Sequence, residues 1–145
     1  MTAPSAPFGI TVAYAERTLS ATLHRLLAER DVSPGTWYAL NLIAVRGPRL
    51  DRATLTVELE GARTLTPDSV RELLARLEAD GLLHGDDEVE LSAEGEALHR
   101  SLRGDIAGRS ARLLGQFPAE DVETTVRTLR AITERAAEEY RVDAD

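Results

Sequence analysis

Between Leu65 and Ser92 the chain reads LTPDSVRELLARLEADGLLHGDDEVELS, and this stretch admits few local structures. Thr66 followed by Pro67 is an N-cap and a first helical residue, with Asp68 in the turn where the helix dipole favours an acid. Val70, Leu73, Leu74 and Leu77 recur at helical spacing and predict one apolar face. Gly81 is the predicted stop, in the position that favours a left-handed backbone. Leu82-Leu83-His84 and Val89-Glu90-Leu91 are then predicted to pair as short strands around the turn Gly85-Asp86-Asp87.

The flanking sequence is helical throughout. From Ile10 to about Arg30 an apolar stripe runs through Val12, Ala15, Leu19, Leu23 and Leu26. Ser33-Pro34 opens a second helix whose run GTWYALNLIAVR is apolar nearly all round and is predicted to be buried, and Gly47-Pro48 ends it. Asp51 to Gly61 forms a short helix with Ala53, Leu55 and Leu59 directed inward. Ser92 caps a long helix that runs to about Gly115, and Phe117-Pro118 breaks the chain. Ala119 to about Arg141 is the last helix. Its residues Val122, Val126, Leu129, Thr133, Ala136 and Tyr140 alternate by four and three, a narrow seam suited to another helix.

Few aromatic residues (4%) and many Leu and Ala also favour helix packed on helix. The order is two helices, a short helix, the capped helix, a hairpin and two long helices. The fold class is therefore mostly α with a small β-hairpin wing. It is a winged helix-turn-helix with long N- and C-terminal helices. Residues 1–9 are expected as a disordered tail and 10–145 as a single domain. Within it, 33–92 are the winged helix-turn-helix, flanked by the helical segments 10–32 and 93–145.

Two segments, SVRELLARLEADGLL at 69–83 and VELSAEGEAL at 89–98, resemble the MarR family of bacterial regulators. In that family an LxxLxxxGLV-like segment ends the recognition helix, and a strand ending in L-S/T-x-x-G opens the fifth helix. Leu91-Ser92-Ala93-Glu94-Gly95 matches the second signature. The resemblance covers nearly the whole chain. It implies an obligate homodimer with intertwined terminal helices, 10–32 and 93–145 being the dimerisation helices, and two recognition helices in successive major grooves of a pseudo-palindromic double-stranded DNA operator. It also implies a small aromatic or phenolic ligand in a cleft between the dimerisation and DNA-binding parts. The implied role is a ligand-responsive repressor.

On the predicted recognition helix the face opposite the apolar stripe is centred on Asp68, Glu72, Ala75 and Ala79. Ser69 and Arg76 lie on one flank and Arg71 on the other. Arg49, Arg52, Arg63, Arg71 and Arg76 are the candidate phosphate contacts, and Thr66, Ser69 and Glu72 complete the candidate DNA-binding set. The charge balance runs against that role. The chain carries a net charge of -8, and Arg46 to Ser92 hold six arginines against eleven acids. The wing is short, with Asp86-Asp87-Glu88 where relatives carry an arginine for the minor groove, whose potential is negative. The alternative reading is therefore a MarR-like dimer that has lost DNA binding and serves as a small-molecule or protein-interaction module, or even an enzyme.

Tyr14, Arg17, His24, Trp37 and Tyr38 fall roughly where ligand pockets form in the family. Together they would offer an aromatic wall and polar groups for a phenolate or carboxylate. The alternative is that Trp37 and Tyr38 are core and dimer-interface aromatics. There is no cysteine, and His24, His84 and His99 lack metal-ligand spacing, so neither metal nor cofactor is expected. No nucleophile–base pair or nucleotide fingerprint is present, so a non-enzymatic protein is expected. No apolar run approaches a membrane span and MTAPSAPFG lacks a basic region, so a cytoplasmic protein without membrane contact is expected.

Overall fold

The computed structural model describes residues 7–62 and 66–144. Its elements are α1 (Phe8–Glu29), α2 (Pro34–Arg46), β1 (Leu50–Asp51), α3 (Arg52–Ala62), α4 (Pro67–Ala79), β2 (Leu83–His84), β3 (Glu88–Leu91), α5 (Ala93–Leu114) and α6 (Ala119–Ala144). Of the tail expected over 1–9, residues 1–6 lie outside the described residues, while Phe8 and Gly9 already belong to α1. The chain divides into two compact units that part between Ile106 and Ala107.

In the first unit the caps act as the sequence predicts. Ser33 accepts from the Thr36 amide at 3.2 Å, and Thr66 accepts from the Ser69 amide at 3.1 Å. Gly81 ends α4 with φ of 77°. Its amide donates to the Glu78 carbonyl at 3.0 Å and the Leu82 amide to the Leu77 carbonyl at 2.9 Å, the paired bonds of a Schellman stop. The start of α3 differs from expectation. Asp51 is not its first residue but the end of β1, and its carboxylate accepts from the Thr54 amide at 3.1 Å. A strand residue thus doubles as the helix cap. Ala53 is exposed, whereas Leu55 and Leu59 are buried as expected.

The three strands form one antiparallel sheet in the order β1-β3-β2, with Leu50 opposite Val89 and Leu83 opposite Leu91. Val89, the sheet's inward residue, is fully buried. It joins a core in which Val70, Leu73, Leu74 and Leu77 of α4 pack with Ala39, Leu40 and Ile43 of α2 and Leu55 and Leu59 of α3. A second cluster gathers Leu26 and Leu27 of α1, Trp37 of α2 and Leu102 of α5. The last turn of α2 is buried on one side only: Ile43 is in the core and Val45 is exposed.

Ser92 joins the sheet to α5. Its hydroxyl donates to the Gly81 carbonyl and accepts from the Gly95 amide at 3.0 Å, so it caps α5 and binds the end of α4 at once. Gly95 has to be glycine for a packing reason, because a Cβ there would stand 2.2 Å from the Leu82 carbonyl oxygen. In the second unit α6 leaves Val126, Leu129, Ile132 and Tyr140 exposed. No helix among the described residues is long and apolar enough to cross a membrane.

Candidate nucleic-acid interface and ligand cleft

α4 buries one face and exposes the other, so Asp68, Ser69, Arg71, Glu72, Ala75, Arg76 and Ala79 are all open to solvent. The two hydroxyls at its start are engaged with each other. Thr66 Oγ1 donates to Ser69 Oγ at 2.9 Å while it caps the helix. Arg71 pairs with Asp68 at 2.6 Å, both side chains largely exposed, a pair that water screens and that costs little to break. Arg76, in the last turn, has no ion-pair partner among the described residues.

The other arginines of this region are engaged. Arg49 lies 3.5 Å from Glu90, and Arg46 pairs with Glu58. Arg52, expected to contact phosphate, points instead into the wing. Its Nε donates to the Asp86 carbonyl at 2.6 Å and its Nη2 to the Gly85 carbonyl at 3.0 Å, and it pairs with Glu78 at the end of α4. The Arg52 amide adds a 2.7 Å bond to the Asp87 carbonyl. Nothing in the sequence marked this role for the arginine, since its side-chain partners lie 26 to 34 residues away. Arg63 lies outside the described residues.

The turn held by Arg52 is tight. Gly85 has φ of 118°, and a Cβ there would stand 2.0 Å from the Glu88 carbonyl oxygen. The wing tip is therefore Asp86, Asp87 and Glu88, all exposed.

This arrangement of three helices, capped helix and hairpin has close counterparts. Rv2887, a MarR family protein of Mycobacterium tuberculosis solved in complex with DNA, superposes with a TM-score of 0.72 at 21% identity, over 90% of this chain and 98% of that one. The chain has the MarR-family fold. Staphylococcus aureus MarR, solved with salicylate and kanamycin, gives a TM-score of 0.76 at 17% identity, over 93% of each chain. NadR in complex with 4-hydroxyphenylacetate gives 0.75 at 20% identity, over 90% of this chain and 98% of that one. No family model and no curated protein matches the chain.

Within the MarR fold the five residues expected around a ligand fall into three groups. The Arg17 guanidinium lies 5.4 Å from the Tyr14 ring centre, on the exposed part of α1. His24 Nε2 is 3.1 Å from the Tyr38 hydroxyl, with the rings edge to face. Trp37 turns to α5, where it stacks on His99 with ring centres 5.4 Å apart and planes 10° from parallel.

His99 itself was not among the expected site residues. Nε2 donates to Asn41 Oδ1 at 3.0 Å, and the residue is buried. Burial, and then the nearby Arg103 charge, hold its pKa below the usual histidine value. The signal was present in spacing: Gly95, His99, Leu102 and Ile106 form one stripe along α5. One edge of His99 opens on a cleft of about 450 Å³ between the end of α2, β3 and the first turns of α5. Ile43, Ala44 and Leu91 form its apolar wall, and Glu96, Arg100 and Arg103 its charged rim.

Proposed function

We propose that the protein is a homodimeric, ligand-responsive DNA-binding regulator of transcription that acts as a repressor. One observation carries the reading: α4 is capped, buried along one face and open along the other, in a fold shared with a protein solved on DNA. In this reading Ser69, Arg71, Glu72 and Arg76 face the groove and Arg49 reaches the flanking phosphates. Arg71 exchanges Asp68 for a phosphate on binding. Dimerisation covers the apolar residues left open on α1 (Ile10, Val12, Leu19) and on α6 (Val126, Leu129, Ile132). A ligand would act by favouring one spacing of the two recognition helices over another, which requires unequal affinity for the two states.

The engagement of Arg46, Arg49, Arg52 and Arg71 with acids or carbonyls favours a second reading, a dimer of this fold that no longer binds DNA. Titration of labelled DNA from upstream of the protein's own gene, at low and moderate salt, separates the two. A regulator binds with an affinity that falls steeply with salt. Retardation no stronger than that of unrelated DNA, even at low salt, rejects the regulator. Sedimentation at micromolar concentration tests the dimer independently, and a monomer there rejects it.

A further inference from the structure

The cleft between α2, β3 and α5 has an unusual charge arrangement. Glu96 and Arg100 stand four residues apart on α5, the spacing at which an acid and a base on one helix commonly pair. Neither is in an ion pair among the described residues, and neither is Arg103, yet all three line the cleft. Glu90, also on the rim, is already shared by Arg49 at 3.5 Å and His84 at 3.4 Å. Among the described residues the cleft thus presents two guanidiniums and one carboxylate without ion-pair partners around an apolar wall.

A ligand with a carboxylate alone would leave Glu96 unpaired beside it. One with an ammonium alone would face two guanidiniums. We propose that the cleft binds a zwitterionic amino acid with an apolar side chain. Arg100 and Arg103 take its carboxylate, Glu96 its ammonium, and Ile43, Ala44 and Leu91 its side chain. The volume, about 450 Å³, is in the range of small-molecule sites. This names the ligand class of the ligand-responsive reading and rests on it for its consequence, but binding is measured without DNA. Failure here and failure of DNA binding are therefore separate results.

Trp37, the chain's single tryptophan, stacks on His99, and His99 lines the cleft, so tryptophan emission is followed alongside calorimetry. The probes are L-leucine, L-isoleucine, L-valine, L-methionine and L-phenylalanine. Each is compared with its analogue lacking the ammonium and its analogue lacking the carboxylate, for phenylalanine 3-phenylpropionate and phenethylamine. Trp37 fluorescence and calorimetry should show at least one amino acid binding, with both its analogues weaker by about tenfold or more, as for loss of a charge-assisted contact. Glu96→Gln should weaken the amino acid about tenfold and narrow its advantage over the carboxylate analogue. Arg103→Gln should weaken both. The proposal is overturned if no amino acid binds at millimolar concentration, if a carboxylate analogue binds as tightly as its parent, or if both variants bind like the wild type. Glu96 and Arg103 are exposed, so neither variant removes core packing.

Discussion

Arg52 donates to the Gly85 carbonyl at 3.0 Å, and so the first turn of α3 carries the turn of the wing. The same guanidinium reaches Asp86 and Glu78, which makes α3, the end of α4 and the wing one unit. An arginine at this place in sequence reads as a phosphate contact, but its fork is directed inward by carbonyls that face it.

Arg52→Ala should therefore cost stability: about 1–2 kcal/mol, given partial exposure, in urea denaturation. Arg52→Lys should recover little, because an ammonium cannot span carbonyls and carboxylate at once. Wild-type stability in the alanine variant would show that the wing holds without this clamp.

Among the arginines of α4, Arg76 should matter more to DNA than Arg71. Among the described residues it has no ion pair to exchange, whereas Arg71 must leave Asp68. Arg76→Ala should lower the slope of log affinity against log salt by about 1. Asp68→Asn should strengthen binding, since it frees Arg71 and removes a carboxylate from the face. Weaker binding by Asp68→Asn in a fluorescence-anisotropy titration would contradict this ordering.

Gly95→Ala should lose about 1–3 kcal/mol, because the added methyl meets the backbone of Leu82 and not a movable side chain. The thermal midpoint of the variant checks this. An unchanged midpoint would mean that α5 can shift away from Leu82 freely.

His99 gives a pH dependence whose sign follows from its lowered pKa. Below the ordinary histidine value of about 6.5 the unfolded chain holds more protons at this residue than the folded one. Stability from this group is intact above that value and is lost as pH falls toward the folded-state pKa. His99→Gln should flatten the change in urea midpoint between about pH 7.5 and pH 5. Equal slopes for variant and wild type would exclude His99 as the source.

Local signals were legible in the sequence where the chemistry is local. Ser33-Pro34, Thr66-Pro67, Gly81 and Ser92 mark the element boundaries that the structure shows, because a cap is decided within four residues. β1 was not legible: Leu50-Asp51 is a strand only because Val89 and Glu88 lie beside it. Ala53 is exposed for a local reason, since it stands two residues, about 200° of helix rotation, from the buried Leu55. At the candidate site, α4's two faces could be read from its periodicity. The clamp of Arg52 and the stack of Trp37 on His99 could not, because both join residues brought together only by tertiary packing.

The Ser92 hydroxyl accepts from an amide of α5 and donates to the carbonyl that follows α4. One oxygen thus ties the start of α5 to the end of α4. With Gly95 pressed against Leu82 behind it, there is no slack in the joint. A tilt of the first turn of α5 would have to carry with it, or break, the Ser92 bond to the Gly81 carbonyl. The helix that would lie on DNA and the helix that lines the cleft are joined here by the Ser92 side chain and by the close approach of Gly95 to Leu82.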